Sequence, residues 1–187
     1  MRHMLPVLLL AMPFINGCAP VIVGGAAATG VVVAEDRRTV GTIAEDEGIE
    51  LKALSRIGKK LKDVHINATS YNRIVLLTGE VSDAAAKADA EKIAHAVENV
   101  RGVYNELQVA GNSSLSARGN DSYLTSKVKA RFVDAQKFNP FQVKVVTENN
   151  VVYLLGLVKR QEANDATEIA RTTGGVQKVV RVFEYLD

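Results

Sequence analysis

The chain has 187 residues, with 23 Lys and Arg against 21 Asp and Glu for a formal net charge of +2, one cysteine and no tryptophan. A charge so near balance makes no electrostatic case for nucleic-acid binding, and a single cysteine rules out a disulfide framework. With a leader discounted, the length suits one ordinary domain or two small ones, and plentiful Ala, Val and Gly beside few aromatics suit small α+β units.

The chain starts Met1-Arg2-His3, continues as an apolar run over residues 4–15 broken by Pro6 and Pro13, and closes on Ile15-Asn16-Gly17-Cys18. Charge, length and the small residue before the break predict a secretory signal over residues 1–17; the run is shorter than the ~20 apolar residues of a membrane span. The segment resembles the lipobox of bacterial lipoproteins, with Asn16 in place of the usual Ala or Ser. The resemblance implies that Cys18 becomes the lipidated first residue of the mature protein. It further implies, because Ala19 rather than Asp follows, an outer-membrane location facing the periplasm. Several acyl chains anchor stably where one does not, at ~0.8 kcal/mol per buried CH₂. The other reading of Cys18 is a free buried thiol. Residues 19–34 are uncharged and rich in Gly, Ala and Val, and residues 35–48 are polar, so residues 18–45 are expected to form the lipidated start and a flexible tether.

Residues 46–110 form the first folded unit. Leu51, Leu54, Ile57 and Leu61 give a helix one apolar face, and residues 64–69 alternate with period two. A turn at Tyr71-Asn72-Arg73 leads to a second strand over 74–81 that contains Gly79. Ser82-Asp83 caps an Ala-rich helix with Ala86, Ala90, Ile93, Ala94 and Val97 on one side, and residues 103–109 are a last strand. Residues 111–119 have linker composition. Residues 120–187 then repeat the order: a helix over 123–132, a strand over 141–147, a turn at Glu148-Asn149-Asn150, a strand over 151–158 with Gly156, a helix over 162–173 and a strand over 179–186. Gly156 lies 77 residues after Gly79 and Ile169 lies 76 after Ile93. The first helices align at 71, which puts about six extra residues near 135–140. Each unit thus reads αββαβ, a three-stranded mixed sheet with both helices on one face, and Gly79 and Gly156 read as structural glycines that mark close backbone approach or a bulge.

Gly79-Glu80-Val81 and Gly156-Leu157-Val158, each followed by an Ala-rich helix and then Gly102-Val103 or Gly175-Val176 before a last strand, resemble two tandem BON domains. Residues 36–42 and 145–149 are similar to the dual-BON lipoproteins of Gram-negative outer membranes. What that resemblance implies is a non-catalytic outer-membrane lipoprotein that binds anionic phospholipid through the first helix of its second BON domain and supports envelope integrity.

That helix falls in residues 119–134. Asn120-Asp121-Ser122 read as its N-cap, and Leu124, Val128 and Phe132 make its core stripe. Tyr123, Ser126, Lys127, Ala130 and Val133 share the opposite side, flanked by Lys129 and Arg131. A Tyr ring suits the headgroup boundary, Lys127 can snorkel to a lipid phosphate, and each cation near an anionic surface contributes about 1 kcal/mol. The competing reading is a solvated helix with incidental Tyr and Val. The first helix serves as an internal control: its outer face, Lys52, Arg56, Lys59 and Lys60, is basic with no inserting group, so lipid affinity is expected in the second unit.

No catalytic constellation is legible. His3, His65 and His95 have no carboxylate or cysteine partner at ligand spacing, so no metal site is expected, and neither a phosphate loop nor a dinucleotide motif occurs. No cofactor is expected. The expected partner is an anionic phospholipid membrane. The alternatives are a periplasmic adaptor for outer-membrane assembly machinery or cell-wall enzymes, and a passive structural tether.

Overall fold

A computed structural model describes residues 36–187. Cys18, the signal and most of the tether lie outside the described residues.

Both units have the order αββαβ. The first comprises α1 (Val40–Lys60), β1 (His65–Tyr71), β2 (Ile74–Val81), α2 (Ala84–His95) and a last strand in two pieces, β3 (Gly102–Asn105) and β4 (Gln108–Val109). The second comprises α3 (Leu115–Ala135), a 3₁₀ turn at Pro140–Gln142, β5 (Val143–Glu148), β6 (Val151–Val158), α4 (Arg160–Arg171) and β7 (Lys178–Tyr185). In each sheet the second strand is central, antiparallel to the first and parallel to the last. This is the α+β arrangement expected, with β4 extending the β2 pairing past a break at Glu106-Leu107.

The central strands are apolar almost throughout, and such strands need cover on both faces. On one face of β2, Val75, Leu77 and Val81 pack against Ile49, Ala53 and Ile57 of α1 and Ala86, Ala90 and Ala94 of α2. The second unit does the same with Val152, Leu154 and Val158 against Val128, Phe132, Ala163, Ala166 and Ala170. Alanines let the second helix of each unit lie close to its sheet. The other face of each sheet packs on the other unit: Tyr71 and Leu76 meet Tyr153, Leu155 and Val182 in a third buried cluster. Burying an apolar side chain of this size contributes roughly 1.5–3 kcal/mol, whereas an exposed ion pair contributes about 0–1 kcal/mol. The apolar cluster therefore holds the units together, and the polar pairs at its margin, Lys144–Glu50 at 2.9 Å and Arg101–Glu184 at 2.9 Å, set their alignment.

Four expectations need correction. The buried stripe of α1 is Ile49, Ala53 and Ile57, while Leu51 and Leu54 are 71% and 37% exposed. The helix starts upstream, where the Thr39 hydroxyl accepts from the Thr42 amide, and small Ala53 at the sheet turns both leucines outward. α3 begins at Leu115, capped by the Ser114 hydroxyl accepting from the Ala117 amide at 3.2 Å. Residues 115–119 are therefore helix rather than linker, and Asn120-Asp121-Ser122 lie inside it. The end of the tether is fastened down: the Arg37 guanidinium donates to the Leu157 carbonyl and both Glu162 carboxylate oxygens, and Arg38 binds Asp36 and Asp46 while stacking on Tyr71. Finally, Ile49, Ala53 and Ile57 stand 75 residues before Leu124, Val128 and Phe132, so the second unit carries two extra residues ahead of its hairpin, not six.

Candidate membrane-facing helix and interdomain cluster

In each unit an aspartate of the first helix holds the hairpin. Asp46 accepts from the Asn72 and Arg73 amides at 2.8 and 2.7 Å and from the Ser70 hydroxyl at 2.6 Å. Asp121 accepts from the Asn149 and Asn150 amides, both at 2.9 Å. All four turn residues have positive φ, as a two-residue hairpin of this twist demands. Asp121, read from sequence as part of a cap, is thus the buried clamp that fixes α3 on its sheet.

With α3 held this way, its outer side divides. Lys127 Nζ donates to the Gly174 carbonyl at 2.9 Å and lies 5.9 Å from the Tyr123 ring centroid. Arg131 donates to the Ile169 carbonyl at 2.8 Å and to the Thr172 and Thr173 hydroxyls. Both cations sit at the C-terminal end of α4, where carbonyls lack intrahelical partners and positive charge is favourable. Lys52 and Arg56 occupy the matching places in the first unit, Arg56 on the Ala96 carbonyl and Glu98 and Lys52 3.7 Å from Glu98, whose carboxyl is drawn down to about 2 chiefly by the Arg56 hydrogen bond. Ser126 is exposed, with its hydroxyl donating to the Ser122 carbonyl.

The rest of the outer face of α3 is open. Tyr123 and Val133 are 63% and 58% exposed, Ala130 is exposed, and Lys129 is exposed with no hydrogen-bond or ion-pair partner among the described residues. Lys129 and Val133 border a cleft of about 350 Å³ with Phe141, Lys144, Arg38 and Tyr71. Phe141, 53% exposed, was missed as a surface residue because it was read as the start of a strand. The Asn139-Pro140 pair ahead of it is a turn signal, and the Asn139 carboxamide caps the 3₁₀ turn by accepting from the Phe141 amide. No helix among the described residues is long and apolar enough to cross a membrane.

Gly79 has φ of +112°, and a Cβ there would fall on the His65 carbonyl; a Cβ on Gly156 would lie 2.5 Å from the Gln142 carbonyl oxygen.

At the far margin of the interface, residues the sequence left unconnected come together. His65 pairs across the hairpin with Glu80, Nδ1 to Oε2 2.9 Å, so the expectation that it has no carboxylate partner is corrected. Glu148 of the second unit approaches the same Nδ1 at 3.9 Å. This meeting depends on strand register and on docking, neither of which residue spacing encodes. Burial raises the Glu80 carboxyl, but hydrogen bonds from Asn149, Ser113 and His65 outweigh it and leave the pKa lowered. For Glu148, burial prevails over the Asn67 hydrogen bond and the His65 charge, and the pKa is raised.

Two segments, residues 45–111 and 120–187, match the BON domain family model. The chain is 42% identical over 187 residues to the outer membrane lipoprotein DolP of Haemophilus influenzae, across 98% of this chain and 96% of that protein. It is 32% identical to the 21 kDa hemolysin of Actinobacillus pleuropneumoniae (81% of this chain, 79% of that one) and 31% identical to the osmotically-inducible protein Y of Escherichia coli (75% and 72%). Among solved structures, the C-terminal domain of the type III secretion protein CdsD of Chlamydia trachomatis aligns at a TM-score of 0.31 and 11% identity, covering 73% of this chain and 96% of that one, too weakly to carry an argument.

Proposed function

This chain belongs to the BON-domain family, as a dual-BON lipoprotein of the DolP type, and from that premise we propose that it is a non-enzymatic protein of the outer membrane that binds anionic phospholipid through α3 and supports envelope integrity. Cys18 supplies the acyl anchor, and the folded part faces the periplasm. The near full-length likeness to a protein named an outer membrane lipoprotein supports the location. The lipid-binding reading is carried by one observation: Val133 and Phe141 expose apolar surface beside Lys129, a cation without a carboxylate partner among the described residues, and Tyr123 is exposed nearer the start of the same helix. Rings suit the headgroup boundary, small Ala130 allows close approach, and Lys129 is available to a phosphate. Lys127 and Arg131 contribute less directly, because they already close the end of α4.

The test uses residues 36–187 without acyl chains, mixed with vesicles of phosphatidylglycerol or of phosphatidylcholine. Binding to the first that weakens with salt and falls in Lys129→Glu supports the reading. Indifference to both vesicle types at low salt refutes it. The exposed Leu51 and Leu54 on α1 favour a second reading, a periplasmic adaptor for assembly machinery or cell-wall enzymes. That reading predicts unchanged vesicle binding and a lost partner in Leu51→Ser.

A further inference from the structure

We propose that His65, Glu80 and Glu148 bind a divalent transition metal of the Zn²⁺ class and that the ion clasps the two BON domains together. The three donor atoms lie within 4.8 Å of one another. Tetrahedral zinc with N and O ligands at ~2.0–2.2 Å separates its donors by about 3.4 Å. The imidazole-to-carboxylate distances here, 2.9 and 3.9 Å, bracket that value.

The charge balance points the same way. The Glu80 and Glu148 side chains are only 2% and 7% exposed, and carboxylates so buried need a compensating cation. Asp121 adds a further negative charge near Glu148. On the positive side, His65 is a single imidazole. Arg118, which borders the same cleft, has its guanidinium on the Ser113 hydroxyl and carbonyl. Glu148 Oε1 has no hydrogen-bond donor among the described residues; its neighbour is the imidazole nitrogen.

The outer oxygens are already oriented. Asn149 Nδ2 donates to Glu80 Oε1 at 2.6 Å and Asn67 Nδ2 to Glu148 Oε2 at 2.9 Å, which leaves Glu80 Oε2 and Glu148 Oε1 facing the imidazole. Glu80 Oε2 also accepts from the Ser113 amide at 3.1 Å, and the Ser113 hydroxyl lies 3.4 Å from His65 Nδ1. Hydrogen bonds behind the ligands are what fix a metal site. A cleft of about 400 Å³, lined by His65, Asn67 and Glu148 among others, gives an entry path and room for a water as fourth ligand. One imidazole with two carboxylates suits Zn²⁺ or its first-row neighbours; Ca²⁺ and Mg²⁺ prefer six or more oxygen donors. His65 and Glu80 belong to the first unit and Glu148 to the second, so the ion favours the docked state.

The experiment titrates the full chain, purified in detergent and stripped with EDTA, with ZnCl₂ by calorimetry, beside MgCl₂. The expected result is one Zn²⁺ site per chain, no comparable Mg²⁺ site, and a higher thermal midpoint with Zn²⁺. Glu148→Gln, nearly isosteric and so expected to fold, and His65→Ala should each lose about tenfold or more in affinity; His95→Ala, a surface control, should lose none. Co²⁺ should give the d–d absorption of a tetrahedral site in the unaltered chain. The absence of a Zn²⁺ site, affinity retained in both cluster variants, or loss in His95→Ala overturns the proposal.

Discussion

The two BON domains share a scaffold and differ in the surface it presents. Counting 75 residues from one to the other, Asp46, Lys52 and Arg56 are matched by Asp121, Lys127 and Arg131. These are the side chains that clamp a hairpin or close a helix end within their own unit. The same spacing sets Gly48 against Tyr123, Leu51 against Ser126, Leu54 against Lys129 and Gly58 against Val133, all pointing outward or at the edge of the outer face. The shared cations therefore say little about what α3 meets, and the unshared residues say more. A lysine or arginine on an outer helix face can be a structural cap whose role shows only when the neighbouring helix end is in view.

The largest test of this shared scaffold is at the two glycines. Gly79 needs both a positive φ and the space of a missing Cβ, while Gly156 needs only the space. Strain of about 1–3 kcal/mol adds to an overlap of similar size in Gly79→Ala, for a loss of about 4 kcal/mol; Gly156→Ala is expected to lose about 2 kcal/mol. Urea unfolding of the two variants measures the difference. Equal losses would mean that Gly156 is as constrained as Gly79 and that the units are closer copies than their backbones show.

Next come the hairpin clamps. Asp46→Ala strands two amides and the Ser70 hydroxyl and takes one of two carboxylate partners from Arg38, which keeps Asp36, whereas Asp121→Ala strands two amides. A stranded donor costs about 1–3 kcal/mol, and at the low end of that range for half-buried turn amides, losses of about 3 and 2 kcal/mol are expected, read from the unfolding midpoints.

The outward faces give a smaller effect, seen in binding. Replacing Tyr123 and Val133 together by Ser should weaken partitioning onto phosphatidylglycerol vesicles about tenfold, since it removes two apolar contacts with the interface. Replacing Leu51 and Leu54 by Ser should change it less than about twofold. The reverse outcome would move the proposed membrane surface to the first domain. The outer face of α1 is not purely basic, because it carries the exposed apolar groups Leu51 and Leu54.

Much of this fold was legible where period and composition agreed. The strands around Gly79 and Gly156, the Ala-rich helices and the Asn-containing turns all carry local signals that tertiary packing reinforces. The start of α3 was not legible, because residues 115–122 lack an apolar stripe and contain Gly119, which is enriched in loops. Its polar first turns are held by Ser114 and by Asp121 reaching to a turn 28 residues on. The stripe of α1 was misread because leucine is the stronger apolar signal, yet Ala53 is the residue that fits against the sheet. Of the outer face, Tyr123, Lys129, Ala130 and Val133 could be read from helical spacing, but the capping duties of Lys127 and Arg131 and the exposure of Phe141 could not. The His65 cluster was hidden for the same reason as the docking: its members lie far apart in sequence and meet only after both sheets have formed.

The smallest expected effect concerns the buried carboxylate at the junction of the two units. Glu148 holds its proton more tightly in the folded chain than in the unfolded one, because burial disfavours its ionised form. Below the unfolded value of 4.5 the group is protonated in both states and contributes nothing. As pH rises from there through the raised folded value, the unfolded state sheds its proton first and stability falls. Glu80 and Glu162 have lowered values and act in the opposite sense: their contribution is present above 4.5 and is lost as pH falls through their folded values. In EDTA, Glu148→Gln should therefore gain stability over the unaltered chain only above about pH 4.5, with the gap opening as pH rises and then levelling off. Both should still lose stability in more acid solution, through Glu80 and Glu162. Urea midpoints taken from pH 3.5 to 8 separate the two effects. A gap that stayed constant across that range would show that the substitution acts through packing rather than ionisation, and that the junction between the units carries no net electrostatic penalty.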